Sequence, residues 1–82
     1  MSREAYGDAV DSFTRAIEAG TMLQHSYYSR GVCRMVLEED YSEAAVADLQ
    51  AAAGYAGEDA DPTVKRQADD LLAQLQDVIN AP

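Results

Sequence analysis

The side chains that could do chemistry are few, and their spacing limits what they can do. The chain has one histidine, His25, and one cysteine, Cys33, with carboxylate runs at Glu38-Glu39-Asp40 and Glu58-Asp59-Ala60-Asp61. His25 and Cys33 fall on one predicted helix, about 12 Å apart by helical rise. At that separation they cannot share a metal or act as a nucleophile–base pair. A free cysteine most often behaves as a small hydrophobe, so Cys33 is expected to pack. His25, near a helix start and with no partner, is expected at a surface or groove. The acidic runs lack the alternating Asp/Asn, central Gly and terminal Glu of a calcium loop. They read as a solvated turn and helix caps. The expectation is therefore no catalytic residue, no metal, no cofactor and no enzyme activity.

The Asp11-Ser12-Phe13 stretch warrants a separate test. A small acidic helical chain with this tripeptide resembles the acyl carrier proteins, whose modified serine follows an aspartate. That family places its serine at the start of the second helix, after a long loop. Here Ser12 falls inside the first predicted helix, and the corresponding region reads Met35-Val36-Leu37. The resemblance is rejected.

The 82 residues carry 6 Lys+Arg against 15 Asp+Glu, a formal charge of -9. That balance argues against a nucleic-acid backbone or an anionic membrane as partner, since both require cations. A single cysteine excludes a disulfide framework within the chain. The length fits one domain, which buries only about 60% of its unfolded surface. No signal-peptide pattern, no transmembrane run and no N-terminal glycine for acylation is present. A soluble protein of a reducing compartment, by default cytoplasmic, is expected.

The elements that must position these side chains are helices. Alanine is common and β-branched residues are few. The first helix is predicted over 3–19, with an apolar face of Ala5, Tyr6, Ala9, Val10, Phe13, Ala16 and Ile17 at steps of three and four, ended by Gly20. A second begins near Thr21, a plausible N-cap, and ends near Leu37. It is apolar on more than one side and so is expected to pack on more than one side. The third runs from Tyr41 or Ser42 to about Tyr55 and is Ala-rich. Asp61-Pro62 reads as an N-cap with proline at the first helical position. It opens a fourth helix over 62–80, with Val64, Ala68, Leu71, Leu72, Leu75, Val78 and Ile79 in one stripe.

Segments one and three are self-similar. Tyr6 and Ala9 recur 35 residues on as Tyr41 and Ala44. Val10, Phe13 and Ala16 recur 36 residues on as Val46, Leu49 and Ala52. Tyr27-Tyr28-Ser29-Arg30-Gly31-Val32-Cys33 has two aromatics, a polar residue, Arg, Gly and then small apolar residues. With a period near 34, these segments resemble the tetratricopeptide-repeat family. The resemblance covers roughly residues 4–53. Arg34 stands where the family usually has an aromatic, and Glu38-Glu39 replace a turn glycine. The implied architecture is all-α: an antiparallel helix–turn–helix array of about four helices. Residues 3–19 would be the second helix of a partial repeat, 21–55 one full repeat and 62–80 a capping helix. Gly31 is expected to let the second helix cross the first closely, opposite Ala9 and Ala16, with Phe13 filling the gap.

First helices of this family line its concave surface. By carry-over, His25, Tyr28, Val32, Met35 and Val36 form a peptide-binding groove, and their spacing independently puts them on one helical face. Tyr27 is expected to pack on helix one and Tyr28 to face the groove. The lysines and asparagine of the family's chaperone-tail clamp are absent. Arg30 and Arg34 fall on the packing side, where they are expected to pair with nearby acids. The implied function is a protein-interaction module that takes a peptide or helix in an apolar, aromatic groove with an acidic rim, which favours a basic partner. The alternative is a structural or oligomerisation module: self-association through Tyr6, Val10, Phe13 and Ile17, or a fragment of a longer protein.

Overall fold

The structure, a computed structural model, describes residues 3–38 and 43–79. It holds four helices: α1 Arg3–Glu18, α2 Leu23–Glu38, α3 Glu43–Ala53 and α4 Pro62–Ile79. No strand is present among the described residues, so the all-α expectation is met. The expected start of α3 at Tyr41 or Ser42 lies outside the described residues.

The turn chemistry fixes the helix ends. Gly20 adopts φ 75°, a left-handed conformation that glycine takes without steric cost. Its N–H donates to the Ile17 carbonyl at 3.0 Å, and the Thr21 N–H to that of Ala16 at 3.0 Å. This paired pattern closes a helix C-terminus. The Thr21 hydroxyl also donates to the Ala16 carbonyl, at 3.2 Å. Thr21 thus ends α1 instead of capping α2. The N-cap position belongs to Met22, whose carbonyl accepts the Ser26 N–H at 2.9 Å. Met22 has φ 47° and is 65% exposed. The tight reversal imposes this backbone, which a side chain disfavours by about 1–2 kcal/mol.

At the other junction Asp61 acts as the sequence predicts. Its Oδ1 accepts the Thr63 N–H at 2.8 Å, and its carbonyl accepts the Lys65 N–H at 3.1 Å. Helix α3 stops at Ala53, two residues before the expected end. Tyr55 leaves the helix, hydrogen-bonds Asp59 and lays its ring over Gly57, where a β-carbon has no room.

The helices pack in chain order: α1 on α2, α2 on α3 and α3 on α4, with a smaller contact between α2 and α4. Ala45, Leu49 and Ala52 of α3 and Ala68 and Leu75 of α4 are at most 2% exposed and form the core. The alanines bring the backbones close, and two leucines fill the space that remains. No described residue of α1 is fully buried, so α1 is an outer layer. Gly31 is buried against α3: a β-carbon there would stand 3.0 Å from Leu49 Cγ and 3.2 Å from Asp48 Cβ. The close approach expected between the first two helices lies instead between α2 and α3. On α2, Gly31 shares its face with Gln24, which also bonds α3.

Gly31→Ala sets a helix-propensity gain of about 1 kcal/mol against an overpacking cost of about 1–3 kcal/mol. Because Leu49 is fully buried and cannot yield, the balance is expected to be destabilising. Urea unfolding should show a lower midpoint for the variant.

Candidate interaction groove

Two side-chain assemblies hold α2 in place. The first centres on Asp48, which is 4% exposed. Arg30 donates to it through Nε at 2.9 Å and Nη2 at 2.7 Å, a bidentate fork. Arg34 adds a third bond, from Nη1 at 2.9 Å. Arg30 Nη1 reaches the Thr14 hydroxyl of α1 at 3.1 Å, and that hydroxyl donates to the Val10 carbonyl at 2.8 Å. The Tyr27 ring lies 5.5 Å from the Arg30 guanidinium carbon. Hydrogen bonding to Asp48 makes Arg30 hold its proton more tightly than usual. The pairing expected of Arg30 and Arg34 is present, but with a buried acid instead of a solvent-screened one.

The second assembly is Gln24, 5% exposed. Its Nε2 donates to the Ala52 carbonyl at 3.2 Å, and its Oε1 accepts the Asp61 N–H at 2.7 Å. One buried amide thereby ties the start of α2 to the end of α3 and the start of α4.

With α2 fixed, one of its faces borders two cavities. The larger, about 360 Å³, lies between α1 and α2 and is lined by Ala9, Phe13, Tyr28, Ser29, Val32 and Cys33. Its walls are almost wholly apolar. The smaller, about 220 Å³, lies at the start of α2 and is lined by Met22, Gln24, His25, Asp59, Asp61 and Val64. The five residues assigned to the groove from sequence therefore divide. Tyr28 and Val32 line the apolar cleft. His25 lines the acidic cavity and sits 3.5 Å from the Ser29 hydroxyl. Met35 is half-buried, Val36 is 42% exposed, and both lie outside the two cavities.

The structure also places residues that sequence reasoning did not give to a groove. Phe13 does not fill the space between the first two helices but lines an open cleft and stays half-buried. Tyr28, not Tyr27, shares that cleft with Phe13. Tyr27 instead takes the guanidinium of Arg30. Cys33 is a cleft wall, and partial burial raises its thiol pKa. Asp48 carried a readable signal: it is the one acid in the run Ala45, Asp48, Leu49, Ala52, at helical-core spacing, opposite arginines one turn apart. No group of three metal-binding side chains exists among the described residues.

Asp48→Ala would leave two partly buried guanidinium groups without their carboxylate. A loss of about 3–5 kcal/mol is expected. Lys65→Ala, which breaks the half-exposed pair with Asp69, should cost under about 0.5 kcal/mol. Chemical denaturation of the two variants side by side checks the contrast.

The chain matches no protein-family model, no curated protein and no solved structure.

Proposed function

We propose that this chain is a tetratricopeptide-like interaction module that binds a peptide segment of another protein along the open face of α2. The observation that carries the reading is the apolar cleft between α1 and α2, about 360 Å³ in volume. Recognition sites of this kind are concave and mostly apolar, and this one holds two aromatic walls, Phe13 and Tyr28. Interface energy concentrates on such aromatic anchors. Met35 and Val36 extend the same helical face beyond the cleft. The repeat-like spacing of segments one and three and the helix pair α2–α3 closed over Gly31 are in keeping with the family reading.

The exposed residues of α1 and α4 weigh against the rival reading of self-association. On α1, among the residues whose side chains are described, they are Asp8, Asp11, Ser12, Arg15 and Glu18. Tyr6, Val10, Phe13 and Ile17 are half-buried. On α4, among the residues whose side chains are described, the exposed positions are polar except Pro62 and Ala73. No described helix is long and apolar enough to cross a membrane. We place the module in a reducing compartment such as the cytoplasm, in keeping with its single free thiol.

Peptides selected from a random library on the immobilised domain test this reading. Their affinity for the double variant Tyr28→Ala, Met35→Ala should fall about thirtyfold, as for an interface anchor worth about 2 kcal/mol. Its far-ultraviolet dichroism should stay helical. Binders that ignore both substitutions would contradict the groove. A dimer in light scattering that the same substitutions abolish would favour self-association.

A further inference from the structure

We propose that the segment taken by the groove is cationic: one apolar side chain enters the cleft at Phe13, Tyr28 and Val32, and one lysine or arginine sits beside Asp59 and Asp61. This rests on the interaction-module reading and specifies its partner. The cleft and the acidic cavity border the same face of α2, because Tyr28 and Val32 line one and His25 the other. From His25 to Val32 is about 10 Å by helical rise. An extended peptide covers that span in about three residues, which sets the spacing between its apolar and basic side chains.

The chemistry of the two cavities selects these side chains. The cleft, about 360 Å³ in volume, is near the lower limit for a small-molecule site. It offers few polar groups with which to orient a polar metabolite, and so it suits a single apolar side chain. The smaller cavity is different. Asp59 accepts a hydrogen bond from Tyr55, and Asp61 uses Oδ1 for the Thr63 N–H. Each carboxylate thus has one oxygen that takes no hydrogen bond from a described residue, and both line the cavity. Its apolar members, Met22 and Val64, suit the methylene stem of a lysine or arginine.

The wider surface reinforces the same sign. The net charge is -9. Arg30 and Arg34 are held on Asp48, and Lys65 is paired with Asp69. The exposed cations among the described residues are Arg15, Lys65 and Arg66, whereas Asp8, Asp11, Glu43, Asp59 and Asp61 are among the exposed acids. A basic segment is therefore drawn in at long range and an acidic one repelled.

The test uses the full chain, labelled with nitrogen-15, and blocked hexapeptides with phenylalanine and lysine three positions apart, in both orders. Companion peptides carry glutamate for lysine or alanine for phenylalanine. At millimolar concentration the phenylalanine–lysine peptide should shift the amide signals of Phe13, Tyr28, Val32 and Cys33 together with those of His25 and Asp59. It should also slow modification of the Cys33 thiol by a disulfide reagent. The glutamate peptide should bind about tenfold more weakly. In the variant Asp59→Asn, Asp61→Asn the α4 cap survives, because asparagine caps as well as aspartate. There the cleft signals should still shift, but the preference for lysine over glutamate should vanish. Equal response to both peptides, or a lysine preference that survives in the double variant, overturns the cationic partner and leaves the groove standing. Shifts confined to the acids of α4 also overturn it. If no peptide shifts the cleft signals, the interaction-module reading fails and this inference with it.

Discussion

Asp48 occupies the middle of an Ala-rich helix at 4% exposure, where an unpaired carboxylate would not be tolerated. Its three hydrogen bonds come from two arginines one turn apart on α2. Arg30 then spends a further donor on Thr14 of α1. A chain of hydrogen bonds therefore runs from α3 through α2 to α1, although α1 and α3 do not pack on each other among the described residues. Buried charges of this sort add little net stability compared with apolar residues of equal size. What they add here is geometry. The planar guanidinium fork accepts one register of α2 on α3, and the Thr14 hydroxyl fixes where α1 lies on α2.

The cleft depends on that register. One wall, Ala9 and Phe13, belongs to α1, and the other, Tyr28, Ser29, Val32 and Cys33, belongs to α2. No fully buried side chain anchors α1 among the described residues. A rotation of α1 about α2 would alter the cleft without disturbing the core of Leu49 and Leu75. The Thr14–Arg30 bond opposes such a rotation, and Gln24 performs the same service at the far end by tying α2 to α3 and α4. A binding surface that already has its shape loses less entropy on docking.

Much of the fold was legible because helix periodicity and end signals are local. Gly20, Asp61 and Pro62 mark ends through their own backbone chemistry, and the apolar stripe of α4 has a single solution. Elsewhere a tertiary partner decides. Thr21 has the side chain of an N-cap, but the reversal at Gly20 claimed its N–H and hydroxyl for α1. Gly31 announces a close approach without saying to which neighbour. Tyr27 and Tyr28 are adjacent, and only the Asp48–Arg30 register shows that Tyr27 lies beneath Arg30 while Tyr28 meets the cleft. His25, Tyr28, Val32, Met35 and Val36 share a face by spacing alone. That two of them border an apolar cleft and one an acidic cavity depends on α1 and on the 58–61 loop, which their spacing does not specify.

One buried carboxylate couples α3 to α1, helices that do not otherwise meet among the described residues. A double-mutant cycle between Thr14→Val on α1 and Asp48→Asn on α3, read by chemical denaturation, measures this directly. Substitutions at separated sites with no shared partner add within about 0.3–0.5 kcal/mol. Here Arg30 is the shared partner, and a coupling of about 1 kcal/mol or more is expected. Strict additivity would mean that the Thr14–Arg30–Asp48 chain does not position α1, and that the cleft is not held in the shape described.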